Sequence, residues 1–478
     1  MIFTTFVSQS EFIIEAHLEN DSEKSGFLNE GSYRPIQLID DCVQLKFDYI
    51  PLVQHPDIIA LICLCAFYPY IKDNLTFPFP VSENCKNAIC RFTDTINDEI
   101  TRPNISVQNW DKSIIPYKGS DKSIISFGGG MDSLTLSLLF PDSILVNQLD
   151  SLEQKKPMVD LFSKLQKTSE TAITSFCNIR SINQPYGFSG WTCCYLTPLL
   201  VAMDKGANEI LTGGILGAVL MFGTGRRFNQ QKFDTPYFNT NDDHLTKWPQ
   251  LFNAIGIKAY SPVAGISEML TSKLIVQEQL EADVLYCQKE EGKPCHKCPK
   301  CFRKNLELEF WEYQKDNTQR PSKYWEQYNN EVVKRHFHND YRDLGYIFNL
   351  LSQSLPFQNK PIWFQERVPY CNANTAWSLR YYSKALELVP KERKVDIEKV
   401  LNQHFQKMSL EESLLLEQYD CVNYSYNDFN STIFLEKGRV DYYKEIDKEN
   451  TLLKEQSRQL TNTLGYKLLK KLKNLLHK

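Results

Sequence analysis

Three consecutive glycines, Gly128 to Gly130, constrain this sequence more than any other feature. An apolar run of strand type, Ile124 to Phe127, precedes them, and Met131-Asp132-Ser133 and the apolar stretch Leu134 to Phe140 follow. This order predicts a strand, a sharp turn and a helix, because glycine lets the backbone turn tightly and approach a ligand closely. The amides of the turn and of the helix start would point at one spot, where the helix dipole favours an anion. The pattern therefore predicts a phosphate-binding loop, to which Ser133 adds a hydroxyl.

The loop is neither of the two common glycine-rich motifs, since it lacks the lysine of a Walker loop and the spacing of a dinucleotide fingerprint. It resembles the pyrophosphate loop of the PP-loop ATP pyrophosphatases, which reads Ser-Gly-Gly-x-Asp-Ser after a buried strand. Gly129, Gly130, Asp132 and Ser133 match that pattern. Gly128 stands where the family usually has serine, so one hydroxyl is missing but the amides remain. A glycine-rich turn without a ligand is the alternative interpretation.

Four cysteines, Cys287, Cys295, Cys298 and Cys301, form the second informative pattern, with the spacing C-x7-C-x2-C-x2-C. Gaps of two residues let successive thiolates turn onto one tetrahedral metal, and four thiolates make a closed structural zinc site. Zn²⁺ is the favoured ion, although an iron–sulfur cluster also uses four cysteines. His296 is an alternative ligand, and a cysteine-rich loop without metal is the remaining alternative.

The loop and the cysteines together resemble the 7-cyano-7-deazaguanine synthase branch of the PP-loop proteins, over residues 120–310. The resemblance implies an ATP-dependent ligase with a structural zinc ion. In that branch a carboxylate is adenylated with release of pyrophosphate, and ammonia converts it to an amide and then a nitrile. The small deazaguanine enzymes lack long flanking regions, so the small-molecule acceptor of this chain is left open between a deazaguanine and a sugar derivative.

The resemblance also implies a set of residues around ATP. Those of the loop are Ser126, Phe127, Gly128, Gly129, Gly130, Met131, Asp132 and Ser133. Asp132 and Ser133 are expected to be catalytic: the first orients the loop or places Mg²⁺, which proteins bind through few carboxylates plus phosphates, and the second holds the leaving pyrophosphate. Asp150 and Gly213 follow the second and fourth predicted strands. Because ligands lie beyond the carboxyl ends of parallel strands, both are expected beside ATP.

Three basic residues outside the loop are further candidates. Arg226 and Arg227 would clamp an anionic substrate, since arginine binds carboxylates and phosphates in bidentate fashion. A solvated basic loop is the equally weighted alternative. Lys273 lies where family members often carry a lysine that reaches the active site, and it is therefore a catalytic candidate. The role of Arg303 and Lys304, after the last cysteine, is open.

The alternation of strands and helices predicts an α/β fold of the PP-loop, HUP-like kind, with a doubly wound parallel sheet over residues 119–312. The strands are expected near 124–127, 143–148, 172–179 and 209–212, and helices near 153–166 and 191–205. An N-terminal α+β region, 1–118, contains predicted strands at Phe12 to His17 and Val43 to Tyr49 and a helix at 58–71. A helical region, 313–450, and a basic amphipathic helical tail, 451–478, complete the chain.

The amino-acid composition limits which binding partners and which compartment are expected for this protein. The net charge of −4 argues against a protein that grips duplex nucleic acid, which usually shows a basic balance. The 14 cysteines and the absence of a signal-peptide pattern favour a reducing cytoplasm. In the tail, leucines from Leu464 to Leu476 form one stripe and lysines occupy the rest, so it would lie on a membrane or pack on a partner helix. A homodimer is also open.

Two other functions compete with the ligase. A PP-loop enzyme that thiolates or otherwise modifies tRNA would require a cysteine pair near ATP, and Cys193-Cys194 is the candidate. The acidic balance of the chain counts against it. A non-catalytic nucleotide-binding module is the third interpretation, with Gly128 as the mark of a loop that has lost its activity.

Overall fold

The computed structural model describes residues 1–420, apart from 30–32, 93–94, 97–98, 101–104, 151–153, 185–189, 223–226, 235, 242, 288–292, 335–344, 357 and 366–373. Segment 421–478 lies outside the described residues, and with it the predicted amphipathic tail. The contact of that tail with a membrane or a partner helix stays a prediction.

The described residues contain seventeen strands and fourteen α-helices. The strands are β1 Ile2–Val7, β2 Phe12–His17, β3 Ser25–Asn29, β4 Tyr33–Leu38, β5 Cys42–Phe47, β6 Asn74–Leu75, β7 Thr95–Ile96, β8 Glu99–Ile100, β9 Ser106–Val107, β10 Ser120–Ser126, β11 Ile144–Leu149, β12 Ala172–Phe176, β13 Asn183–Gln184, β14 Ala207–Leu211, β15 Met221–Phe222, β16 Arg227–Phe228 and β17 Lys258–Tyr260. The helices are α1 Pro56–Phe67, α2 Glu83–Arg91, α3 Met131–Leu139, α4 Lys155–Lys164, α5 Leu196–Lys205, α6 Leu216–Val219, α7 Trp248–Ala254, α8 Glu268–Gln277, α9 Pro299–Asp316, α10 Ser322–Glu326, α11 Gly345–Ser354, α12 Ile362–Gln365, α13 Lys394–His404 and α14 Leu410–Glu417.

A five-stranded parallel sheet, in the order β12-β11-β10-β14-β17, forms the centre of the protein. The predicted parallel sheet of an α/β fold is thereby confirmed. The chain first adds β11 and β12 on one side of β10 and then β14 and β17 on the other, so the strand order reverses beside β10. The fifth strand, β17, was not predicted, because three residues are too few to show a period.

Both faces of this sheet are buried, and successive residues of a strand pack into different cores. Ile124 and Ile210 lie in the core that contains α5, α7 and the N-terminal region. Ile125 and Leu211 lie in the core that contains α3, α8 and α9. Because side chains alternate along a strand, the sheet separates two helical layers, which explains why its strands read as continuous apolar runs.

The N-terminal region packs on the face covered by α5. Its antiparallel sheet β1-β2-β5 begins with a hairpin, and β2 occupies the residues that the alternating pattern predicts. Helix α1 is apolar and buried on nearly every side, as expected of a helix enclosed between a sheet and another helix. Strand β13, from the segment after β12, pairs with β4, so the two parts of the chain share a second sheet.

The helices after α9 pack in the same core as α8. A buried ion pair joins the segment between α11 and α12 to α9, because Lys360 Nζ lies 2.5 Å from Glu309 Oε1. None of the helices in the described ranges has the combination of length and apolar sequence that is needed to traverse a lipid bilayer.

Candidate functional site

The glycine loop between β10 and α3 can be formed only with glycine at its centre. Gly129 has a φ of +71°, in the left-handed region that disfavours a side chain. A Cβ there would lie 3.0 Å from Met158 Cε and 3.1 Å from Leu285 Cβ, and the Leu285 amide donates to the Gly129 carbonyl at 2.8 Å. At Gly128 a Cβ would meet no described atom within 4 Å. A serine, the usual residue of the resembled family, therefore fits at position 128.

The Ser133 hydroxyl closes this loop. It accepts a hydrogen bond from the Gly128 amide and donates one to the Gly130 carbonyl, both at 3.2 Å. Helix α3 begins at Met131 without a side-chain cap on its N-terminus. The first amides of a helix have no partner within it, so those of α3 can bind an anion in the manner of other helix N-termini.

The loop lies where the strand order of the sheet reverses. A Cβ on Gly213, in the turn after β14, would lie 3.0 Å from the carbonyl carbon of Asp132 and 3.0 Å from the Ser133 amide nitrogen. On the other side, the buried Asn147 side chain of β11 donates to the Phe127 carbonyl at 2.7 Å. The carboxyl ends of three neighbouring strands thus meet at the loop, and in open parallel sheets this is the edge where ligands bind.

A buried lysine that the sequence left without a role faces Asp132. Lys304 Nζ of α9 lies 3.9 Å from Asp132 Oδ1, and this carboxylate oxygen is buried with no hydrogen-bond partner among the described residues. Lys304 follows Cys301 by three residues, which places the two on one face of α9. That spacing is the signal in the sequence that could have identified Lys304 as a site residue.

Two further cations and a carboxylate surround Lys304. Glu307 accepts from Lys304 at 3.0 Å and from Ser272 at 2.8 Å. Arg303 Nε is 3.3 Å from the other oxygen of Glu307. Neither atom has a hydrogen-bond partner among the described residues, so this contact is an ion pair of poor geometry. Burial, together with Lys304 and Arg303, lowers the pKa of Lys300. This concentration of positive charge beside the loop suits an anionic ligand.

The four predicted cysteines form a buried cluster, in which one sulfur from each lies within 4.8 Å of the others. Cys295 and Cys301 have their sulfurs 3.8 Å apart, and four ligands about 2.3 Å from a tetrahedral zinc ion lie about 3.8 Å from one another. Cys298 caps α9 by accepting from the Cys301 amide at 3.4 Å. A hydrogen bond from the Cys301 thiol lowers the pKa of Cys298 to about 5. The cluster can hold a metal such as zinc.

His296 has a different environment from these four cysteines. Its Nδ1 lies 3.3 Å from the Asn305 amide nitrogen and 3.4 Å from the Tyr328 hydroxyl. Its ring packs edge-on against Tyr324. These contacts hold the imidazole in the aromatic core beside the cluster.

The cysteine cluster is attached to both sides of the loop. Leu285, which binds Gly129 through its amide, is two residues from Cys287. Cys298 begins α9, which carries Lys304 to Asp132. A metal held by the four sulfurs would therefore help to position Leu285 and α9, which both contact the loop.

The other predicted ATP-site residues differ in how they can contribute. Phe127 and Met131 have buried side chains, so only their backbone atoms can face a ligand. The Ser126 hydroxyl donates to the Cys194 carbonyl at 2.9 Å. Asp150 pairs with Arg180 at 3.2 Å beyond the end of β11, and burial raises its pKa while Arg180 opposes this rise.

The structure places Lys273 beside Trp311, and its catalytic role stays a prediction. Its ammonium lies 5.6 Å from the centre of the Trp311 ring, in a surface cavity of about 670 Å³ that is also lined by His404. The neighbouring residue, Ser272, is the one that contacts the loop helix, through Met131 Sδ at 3.6 Å. Successive residues of a helix point in directions about 100° apart, and this rotation turns Lys273 away.

The structure describes only one of the two arginine candidates. Arg226 lies outside the described residues. Arg227 is exposed in β16, where its backbone forms an isolated bridge with Asp420. Their role as a substrate clamp stays a prediction.

The cysteine pair required for tRNA thiolation lies in the 3₁₀ helix Trp191–Tyr195. It is close to β10, as the contact of Ser126 with Cys194 demonstrates. Burial raises the pKa of the Cys194 thiol, whereas a nucleophilic cysteine needs a lowered pKa. The environment of Cys194 therefore counts against thiolation.

Comparison with known proteins gives one match. A model described as "Family of unknown function (DUF6395)" matches residues 247–420, a segment that contains α7 to α14 and the cysteine cluster but not the glycine loop. No curated protein and no solved structure matches the chain.

Proposed function

We propose that this protein binds ATP at the loop 128–133 and adenylates an oxygen of a small-molecule acceptor, with release of pyrophosphate. The observation that carries the proposal is the position of Lys304, 3.9 Å from Asp132, beside an uncapped helix N-terminus. A phosphate chain needs amide donors, a cation and a carboxylate that can share Mg²⁺. All three kinds of group meet at this loop.

The topology supports the same proposal. A parallel sheet of order β12-β11-β10-β14-β17 with helices on both faces is what the doubly wound architecture of PP-loop enzymes requires. Phosphate would lie at the reversal between β10 and β14, and adenine beside the ends of β10 and β11. Proteins of this architecture bind nucleotides at that edge.

The reaction divides into two displacements. An oxygen of the acceptor attacks the α-phosphorus of ATP, and the bond from that phosphorus to the bridging oxygen breaks, so pyrophosphate leaves with the electron pair. Ammonia then attacks the adenylated carbon, forms the C–N bond, expels AMP and loses its extra proton to solvent. The α3 amides, Lys304 and Arg303 would stabilise the charge on the leaving pyrophosphate, so catalysis here rests on positioning and electrostatics.

Residues on either side of the loop have supporting roles. Asp132 Oδ1, buried without a hydrogen-bond partner among the described residues, would bind Mg²⁺ together with the phosphates. Ser133 keeps the loop closed. A metal in the four-cysteine cluster would be structural, because four thiolates leave no open position for chemistry.

The acceptor is proposed by resemblance alone as a carboxylated deazaguanine or a sugar acid. The test is pyrophosphate release from ATP by the full-length protein with Mg²⁺, ammonium and a panel of both acceptor classes. Asp132→Ala is compared with the wild type, and Asp160→Ala serves as the matched control because Asp160 is an exposed aspartate on α4.

The proposal expects release that depends on one acceptor, falls about 100-fold or more in Asp132→Ala and is unchanged in Asp160→Ala. Tight ATP binding without release for any acceptor would contradict the enzyme and support the nucleotide-binding module. Absence of ATP binding in a folded wild-type protein would contradict both.

A further inference from the structure

A second group of metal-ligand side chains lies on the N-terminal sheet, far along the chain from the four-cysteine cluster. Glu15 and His17 occupy alternate positions of β2 and therefore point to one face of the sheet. Cys42 of β5 stands directly opposite His17 in the register. One ligand atom from each of the three lies within 4.8 Å of the others, and Glu15 Oε2 is 3.4 Å from His17 Nε2.

Neighbouring side chains hold the Glu15 carboxylate in place. Gln44 of β5 donates to Glu15 Oε1 at 2.6 Å. Thr4 of β1 donates to Glu15 Oε2 at 3.2 Å, and its hydroxyl is 3.3 Å from His17 Nε2. Metal-binding carboxylates are usually oriented by hydrogen bonds of this kind from outside the ligand set. Three strands thus contribute to one small polar site.

The donor set identifies the class of ion. An imidazole nitrogen, a thiol sulfur and a carboxylate oxygen suit zinc and similar transition metals, whereas Mg²⁺ and Ca²⁺ prefer oxygen ligands throughout. The side chains of His17 and Glu15 are 40% and 20% exposed and Cys42 is exposed. Three protein ligands with access to solvent match a zinc ion that completes its tetrahedron with water.

The local charge also favours a cation. The carboxylates of Glu15 and Asp40 bring negative charge to the surroundings of Cys42. Negative neighbours disfavour a free thiolate. The same field attracts a divalent ion, which would in turn stabilise the thiolate.

We propose that Glu15, His17 and Cys42 form a metal site for a zinc-class divalent cation, separate from the four-cysteine cluster. The site is ready for the ion because paired strands fix the spacing of its ligands. It does not depend on the proposed ATP chemistry, since all three ligands belong to the N-terminal sheet.

The first experiment counts zinc. Full-length protein is stripped with a chelator, reloaded with excess Zn²⁺, freed of unbound ion and analysed by elemental mass spectrometry. His17→Ala is expected to hold one equivalent fewer than the wild type, and His244→Ala, which removes an exposed histidine elsewhere, is expected to equal the wild type. Equal zinc content in His17→Ala and wild type would overturn the proposal.

The second experiment follows Cys42, which is the exposed member among the cysteines of the described ranges. Its alkylation by iodoacetamide is measured by peptide mass spectrometry with and without Zn²⁺. Zn²⁺ should slow the reaction at least tenfold in the wild type and have no effect in His17→Ala. Gln44→Ala should raise the Zn²⁺ concentration needed for this protection about tenfold, since it removes only the support of Glu15. Alkylation of the wild type at the same rate with and without Zn²⁺ would refute the site.

Discussion

The ammonium of Lys304 faces the carboxylate of Asp132 across 3.9 Å, although 172 positions of the sequence separate them. The distance is too long for a hydrogen bond. The Lys304 side chain is buried, whereas the Asp132 side chain is 39% exposed. When ATP binds as proposed, Lys304 can therefore contact a phosphate oxygen and Asp132 can bind Mg²⁺ without first breaking a hydrogen bond between them. We expect Lys304 and Asp132 each to form a close contact with the bound ligand, and the distance between the two residues not to shorten.

Lys304→Met should abolish nucleotide-dependent activity and also destabilise the fold. The variant leaves Glu307 buried with fewer charged partners, and removal of one member of a buried pair costs about 3–5 kcal/mol. Urea unfolding and pyrophosphate release are measured on the same preparation. The double variant Lys304→Met/Glu307→Gln should regain stability but not activity, whereas Lys315→Met, at an exposed lysine of the same helix, should alter neither. Recovery of activity in the double variant would show that Lys304 is only structural.

The two glycines at positions 128 and 129 should respond in opposite ways to serine. Gly128→Ser places its side chain in open space and should keep or raise ATP affinity, because it restores the hydroxyl of the resembled family. Gly129→Ser forces a side chain into the left-handed region, at about 1–2 kcal/mol, and against Leu285. ATP affinity by calorimetry should fall sharply in this variant alone. Equal affinities in the two variants would mean that phosphate does not bind at this loop.

Loss of a metal bound by the four cysteines should weaken ATP binding at the glycine loop as well as disrupt the cysteine cluster. Cys301→Ser removes one of four buried ligands and should release one equivalent of metal, lower the melting temperature and weaken ATP binding, since Leu285 and α9 both contact the loop region. Cys90→Ser, outside the cluster, is the control. Metal content, melting temperature and ATP affinity are measured together. Wild-type ATP affinity in metal-free Cys301→Ser would show that the cysteine cluster does not support ATP binding at the loop.

Lys360→Met should make stability fall as the pH rises from about 4 to 7. Burial raises the pKa of Glu309, and Lys360 is the largest influence that opposes this rise. Without Lys360 the folded state holds its proton at Glu309 to a higher pH than the unfolded state does. Stability then decreases with pH wherever the folded state binds more protons. Urea unfolding across this range measures the slope.

A second substitution in the Lys360–Glu309 pair tests whether Glu309 is the group that titrates. Glu309→Leu in the Lys360→Met background should remove the added pH dependence and recover most of the lost stability, because an apolar pair can replace a buried ion pair. If Lys360→Met has the same pH profile as the wild type, Glu309 is not the titrating group.

Local patterns in the sequence were sufficient for several elements, among them β2 and β10, and for the cysteine cluster. Strand β2 has a period-2 pattern over part of its length, β10 ends in an apolar run before the glycines, and the two-residue gaps of the cysteines favour their convergence on one point. Each of these signals lies within a few residues of chain, so no knowledge of packing is needed to interpret it.

The parts that could not be predicted depend on contacts between distant segments. The spacing from Cys301 marks Lys304, but its approach to Asp132 depends on how α9 packs on α8 and α8 on α3. Ser272 and Lys273 are neighbours in sequence, and only the rotation of α8 on its core decides which one contacts the loop helix. Strand β17 owes its existence to pairing with β14, because three residues do not form a strand by themselves.

The lack of space for a side chain at Gly213 restricts which residues related sequences can carry at this position. A Cβ at this position would lie 3.0 Å from backbone atoms of Asp132 and Ser133, so a methyl group there would push the two turns apart. Among homologous chains, those that still use the phosphate loop should retain glycine at this position. A homologue with a larger residue at 213 would be expected to keep the fold while having given up the nucleotide.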